Sequence, residues 1–229
     1  MRKLLITIVI VLVLLFGGTV FFLPSLINSQ ISSKLQQNIH AENITSSVET
    51  SPNFMFLFGQ VDTLKISADN IDLDKVKLNN LTLSGQDIQI SISDLLLARH
   101  LVVNSAQNLT VTGTMDEANL TRFLNEKVEN ISDIQAKIAP DGIEATGKVS
   151  FLGREATVHV KGHVLIEGND LVFRITDADT QSSLFGKIGL SFTKDIPIVQ
   201  AASLPFEGMQ FTNVEQQNGQ VLIVATINK

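Results

Sequence analysis

The sequence predicts a β-rich α+β domain behind one membrane-spanning helix. Three features lead there. An uncharged run, Leu4–Leu23, lies near the start; apolar side chains alternate in strand fashion from Val61 to Ile227; and two stretches, 25–40 and 114–130, carry apolar residues at helical spacing. Such a sheet has one apolar face, which helices or a lipid must cover.

Leu4–Leu23 reads LLITIVIVLVLLFGGTVFFL, twenty residues without a charge. At about 1.5 Å per residue a helix of this length spans about 30 Å, a bilayer's hydrocarbon thickness. Arg2 and Lys3 precede it, and positive charge stays cytoplasmic. Residues 1–23 are therefore expected to be a cytoplasmic start and anchor, and 24–229 one extracytoplasmic domain of a single-pass cell-membrane protein. The competing reading is a cleaved secretory signal, whose apolar core is about 7–15 residues and ends at a small-x-small site. This run is longer, and no such site follows Phe22 and Leu23.

Composition narrows the functions. Without Arg2 and Lys3, 15 basic residues face 23 acidic ones, a net charge near −8. That argues against nucleic acid and against a polybasic grip on anionic lipid. There is no cysteine, hence no disulfide framework, no thiol catalysis and no thiolate metal site. Trp and Tyr are absent, which disfavours stacking on sugar rings.

In chain order, Ile27, Ile31, Leu35 and Ile39 recur at spacing four after Pro24. The stretch 25–40 is expected to be an amphipathic helix packed on the sheet, or else a stalk or surface helix. Residues 51–59, SPNFMFLFG, hold five consecutive apolar side chains between Pro52 and Gly59. The run fits a buried strand or helical turn, or an apolar lip that touches acyl chains. Strands are expected at 61–68, 76–83 and 88–92, with a phase slip at Asn79-Asn80 that marks a bulge or turn. Others follow at 101–103 and 109–112. Thr114-Met-Asp-Glu117 has the capping-box form and predicts a helix to about Asn130, with Leu120, Phe123, Leu124 and Val128 on one face. Alternating strands then run at 134–138, 143–151, 156–166 and 172–175, separated by turn signals. Residues 184–208 are less regular. Asn218-Gly219 predicts a type I′ hairpin between the last two strands.

No catalytic constellation emerges. His159 and His163 lie on the expected polar face of a strand, and HVKGH lacks the Glu of a zinc-protease helix. There is no G-x-S-x-G elbow and no Walker loop. The expectation is a non-enzyme without metal or cofactor.

The stretch SLPFEGMQFTNVEQQNGQVLIVATI, residues 203–227, resembles the C-terminal pattern of the LmeA-like phospholipid-binding family. Leu204, Pro205, Phe206 and Gly208 stand for its Leu-Pro-Phe-Gly stretch, with Glu207 inserted before the glycine. The apolar run ending at Gly59, the alternating segment after it, and MDEANLTRFLNE fit the same family. The resemblance implies an extracytoplasmic bacterial protein that binds phospholipid. It also implies a tubular lipid-binding-like fold, a curled antiparallel sheet wrapping one or two amphipathic helices. Candidate lipid contacts are Phe54, Met55, Phe56, Leu57, Phe58, Phe185, Leu204, Pro205 and Phe206. The expected partners are phospholipid or another acyl-chain ligand and, through Leu4–Leu23, the membrane, with lipid carriage in envelope biogenesis as the wider role. The competing function is a non-enzymatic scaffold at the cell surface with a fully packed core; an auxiliary enzyme of envelope assembly finds no residues to support it.

Overall fold

The computed structural model describes residues 40–227, apart from 73–75, 95–96, 98–102, 152–153, 183–185, 191–193 and 205–207. The expected anchor and nearly all of the expected helix at 25–40 lie outside these residues. Among the described residues no helix is long and apolar enough to cross a membrane. Among the described residues, two antiparallel sheets and one α-helix make a β-rich fold. The chain divides into two compact units, one of residues 1–68, 82–109 and 228–229, the other of 69–81 and 110–227.

The first sheet has the strand order β1-β2-β3-β4-β12-β11. Its first four strands are β1(His40–Glu49), β2(Gln60–Asp72), β3(Lys77–Ile90) and β4(Val103–Asp116). In β1, HAENITSSVE, only Ala41, Ile44 and Val48 are apolar, and all three are half-buried. An edge strand of this kind lacks the alternation that marks a strand in sequence. The structure joins the strands expected at 76–83 and 88–92 into one, β3. The expected phase slip is present, since burial changes parity between Leu78 and Leu83. The chain nonetheless continues through Asn79, whose side chain hydrogen-bonds Asp116 and Asn119.

Each of these four strands holds one Asx residue at positive φ: Asn43 (49°), Asn70 (50°), Asp87 (48°) and Asn108 (49°). Short polar side chains tolerate this left-handed region. A residue held there inside a strand has the geometry of a bulge, which bends the strand and steepens its twist.

The second unit is built on a sheet of order β10-β8-β7-β6-β5, with β9 also paired to β8. The strands are β5(Ser132–Ala139), β6(Gly142–Phe151), β7(Arg154–Glu167), β8(Asp170–Ser182), β9(Gly186–Leu190) and β10(Lys194–Val199). β11(Gln210–Gln217) and β12(Gln220–Ile227) close the chain. The hairpin at Asn218-Gly219 forms as expected, but its turn is not type I′. That form needs positive φ at both positions, and only Gly219 has it, at 78°. The Gly219 N–H donates to Ile138 O of β5 at 3.0 Å, a tertiary bond that local turn preference does not anticipate.

The inner face of this sheet carries Ala136, Ile138, Ile143, Ala145, Val158, Val164, Phe173, Ile175 and Ile196, all buried. Its outer face carries a row of exposed charges in register across four strands, Lys137, Glu144, Lys161 and Asp177, of alternating sign. Lys161 Nζ lies 2.9 Å from Glu144. That hydrogen bond holds the Glu144 carboxyl below the ordinary carboxylate range and raises Lys161. Arg174 grips Asp195 through two hydrogen bonds of 2.8 Å and depresses its carboxyl in the same way.

The helix, α1(Glu117–Lys127), packs against β5. Its cap differs from the expected capping box. Asp116 is the N-cap and accepts from Asn119 N at 2.8 Å; Glu117 is the first helical residue, and Thr114 is buried in β4. Two residues of offset move the cap from a hydroxyl to a carboxylate, which also suits the positive end of the helix dipole. The helix stops at Lys127, not near Asn130.

Candidate lipid-contact surfaces

Residues Asn53–Phe58 form a 3₁₀ helix, opened by Met55 N donating to Pro52 O at 2.9 Å and closed by Gly59 N to Phe56 O at 3.0 Å. At three residues per turn, Asn53, Phe56 and Gly59 share one line. Phe56 is 2 % exposed and anchors the helix in the core of the first unit. The other two lines carry Phe54 with Leu57 and Met55 with Phe58. Phe54 is 51 % exposed, Phe58 67 %, and Met55 and Leu57 are half-buried. Gly59 is required at the end. Its φ is 76°, and a Cβ there would stand 2.1 Å from Ile90 O. The loop is held to β3 by Ile90 N donating to Gly59 O at 2.8 Å and by Gln89 Nε2 donating to Phe58 O at 2.6 Å.

A second apolar surface lies in the other unit, between the C-terminal end of α1 and the inner face of β5 to β8. Leu124, Val128 and Ile131 face Ala145, Val158, Val160, Phe173 and Ile175 across a half-open cleft of about 40 Å³. Among the described residues no ionisable side chain lines it. Gly147 makes room, since a Cβ at this position would meet Ile131 Cγ2 at 2.5 Å. The same face continues through Val149 and Ala156, which pair across β6 and β7 and are both half-buried.

Helix α1 meets this sheet in an unusual way. In β5 the N–H groups of Ile134, Ala136 and Ile138 point away from β6, toward the open edge. Asn125 Oδ1 accepts from Ile134 N at 3.0 Å, Thr121 Oγ1 from Ala136 N at 2.9 Å, and Glu117 Oε1 from Ile138 N at 2.9 Å. Asn125 Nδ2 also donates to Ile134 O at 2.9 Å. Three side chains at spacing four thus satisfy an edge strand that would otherwise be open to pairing.

Of the other expected contacts, Leu204 is half-buried and ends the short 3₁₀ turn Ala201–Ser203, with its N–H on Ala201 O at 3.1 Å. Asp170 Oδ1 holds that turn through Ala201 N at 2.9 Å. Phe185, Pro205 and Phe206 lie outside the described residues. Phe54 to Phe58 belong to the first unit and Leu204 to the second. His159 is exposed, between Thr146 and Asp179 in register, and His163 Nδ1 lies 3.3 Å from Gln216 Oε1. Among the described residues no group of three or more His, Asp or Glu is placed to hold a metal ion.

Leu124 and Val128 are legible in sequence as the apolar stripe of the helix, but the cleft they line and the edge clamp are not. The apolar face of β5 to β8 was visible as alternation, but which part of it α1 leaves open depends on tertiary placement. The clamp had a signal, the polar spacing Glu117, Thr121, Asn125, which reads in sequence as an ordinary solvated helix face.

The LmeA-like phospholipid-binding family matches residues 18–226, nearly the whole chain. The chain belongs to this family. No curated protein and no solved structure gives a significant match. The LmeA-like family is one of lipid-binding domains and not an enzyme family, and the fold of the described residues is of the β-rich kind the resemblance implied. Both apolar surfaces suit a ligand whose bulk is hydrocarbon.

Proposed function

We propose that this chain is a membrane-anchored, extracytoplasmic phospholipid-binding protein that takes up acyl chains along the inner face of β5 to β8, without catalysing a reaction on them. The observation that carries the proposal is the half-open cleft lined without any ionisable side chain, in a chain whose family is phospholipid-binding. Each buried methylene contributes about 0.8 kcal/mol, so hydrocarbon alone supplies affinity where no basic cradle exists. The cleft, about 40 Å³, is smaller than the roughly 300–1,000 Å³ of sites that enclose whole ligands. A bound chain therefore displaces Leu124, Val128 and Ile131 from the sheet, or lies on the face continued by Val149 and Ala156. Leu204 with the neighbouring Pro205 and Phe206, and Phe185, are proposed as further lipid contacts, and Phe54, Met55, Leu57 and Phe58 of the first unit as a separate set of lipid contacts. Anchoring by Leu4–Leu23 would hold the domain at the source of its ligand, and carriage of lipid within the envelope is the role this serves.

The test is direct. The full-length chain is purified, its lipids are extracted and identified, and uptake of a labelled phospholipid is measured. Co-purifying phospholipid and saturable uptake are expected; the absence of both would end the proposal. The small cleft favours one second reading, a scaffold with a closed core, which that negative result would leave standing.

A further inference from the structure

We infer that the end of the first unit bearing Phe54 and Phe58 is a bilayer-docking tip, a surface distinct from any groove that holds cargo; the inference rests on the phospholipid reading above. β1 and β3 run toward this end of the sheet, and β2 and β4 run away from it. The β1–β2 and β3–β4 connections therefore emerge side by side. Among the described residues the exposed large apolar side chains are Phe54, Phe58 and Leu97, at 51 %, 67 % and 87 % exposure, and all three lie in these two connections.

The first of these connections is also free of charge. Between Glu49 and Asp62 there is no ionisable residue, in a chain of net charge −6. The second connection holds Asp94, which the Ser91 hydroxyl engages, and by sequence also Arg99 and His100. The helix is built to present rings outward: Phe56 is the keel, Gly59 locks the exit against Ile90, and both remaining lines of the helix are apolar.

The occupant follows from size and chemistry. A Phe side chain offers about 150–250 Å². The exposed parts of two Phe and one Leu sum to on the order of 300 Å², below the roughly 800 Å² per partner of a stable protein interface. A bilayer interface accepts apolar side chains one at a time and needs no matching shape, and the uncharged Phe54–Phe58 connection enters it without the cost of burying a charge.

The chain has neither Trp nor Tyr, so Phe58→Trp introduces a single emitter, with Phe54→Trp as a second reporter and Asn169→Trp, in the exposed β7–β8 turn, as control. Each full-length variant is reconstituted into phosphatidylcholine vesicles with or without bromine on the acyl chains. The F58W emission is expected to shift to the blue and to be quenched about twofold more than that of N169W, as for a ring seated about 5–10 Å into the headgroup–acyl boundary. Equal quenching of F58W and N169W would overturn the inference. So would a blue shift that depends on protein concentration and not on bromine, which would give the tip to a second copy of the chain. Lipid extracted from each purified variant before reconstitution separates the two proposals. Bound phospholipid with unquenched F58W removes the tip alone; quenched F58W without bound phospholipid removes the cargo and keeps the tip.

Discussion

The hydrogen-bonded clamp between α1 and β5 makes a quantitative prediction. Thr121→Val keeps the shape of the side chain and removes the acceptor for Ala136 N; Asn125→Leu removes both partners of Ile134. A backbone N–H left without a partner in a part-buried site costs about 1–3 kcal/mol. Asn125 is exposed and water can replace some of what it supplied, so the lower half of that range applies there. The two sites adjoin on the helix and their losses will not simply add. The double variant is expected to lose about 2–4 kcal/mol, from a total of about 5–15 for a domain, and to melt roughly 4–16 °C lower. Without Trp or Tyr the assay is far-ultraviolet circular dichroism of the full-length chain under urea and heat. Amide exchange gives the local readout, with protection lost at Ile134 and Ala136 and kept at Ile138, which Glu117 still holds. A double variant within about 0.5 kcal/mol of the parent, with exchange unchanged, would show that the clamp carries no stability and that apolar packing alone seats α1.

Two further outcomes follow from the same geometry. Phe56→Ala empties a site 2 % exposed and is expected to cost about 3–5 kcal/mol, whereas Phe58→Ala, at 67 % exposure, stays within about 1 kcal/mol; urea midpoints of the two variants measure the contrast. The depressed carboxyls of Glu144 and Asp195 contribute stability that is present above the ordinary carboxylate range and is lost as pH falls through their lowered folded values. Asp195→Asn should therefore flatten the acid limb of the stability–pH curve at low salt, and added salt should shrink the difference.

Legibility in the sequence tracked how much of each element's order is local. β6 and β7 were read within about two residues of their ends, because Ile143, Ala145 and Gly147 on one strand and Val158, Val160 and Gly162 on the other alternate against exposed charges. The helix at Glu117–Lys127 was legible from its stripe, but its cap was read two residues early, since Thr114 and Asp116 are both competent caps and the choice falls to the fold. β1 was missed because an edge strand with three apolar residues is made by its pairing with β2, not by its own pattern. The Phe run was visible, yet its division into one keel and four outward side chains needed the 3₁₀ period, which a run of five apolar residues cannot reveal. The cleft was out of reach, since Gly147, Ile131 and Val160 are far apart in the chain and meet only through strand register.

The two ways in which α1 is held bear on how a cleft this small could serve a chain-shaped ligand. At about 100° per residue, Glu117, Thr121 and Asn125 lie on one arc of the helix, and Leu120, Phe123 and Leu124 on the next, about a quarter turn away. The first arc is bonded to the β5 edge by directional contacts, and the second rests on the sheet by area. An acyl chain can replace apolar area with little net cost, since methylene against leucine is as good as valine against leucine. It cannot replace a hydrogen bond to a backbone N–H. Opening should therefore proceed about the β5 edge as a hinge, with Leu124, Val128 and Ile131 moving off the sheet while the clamp stays made. The consequence can be measured in one experiment. On binding phospholipid, the amides of Ile134, Ala136 and Ile138 should keep their exchange protection, while methyl signals of Leu124, Val128 and Ile131 shift; loss of protection at the β5 amides together with those shifts would mean that the helix leaves as a whole and that the edge is no hinge.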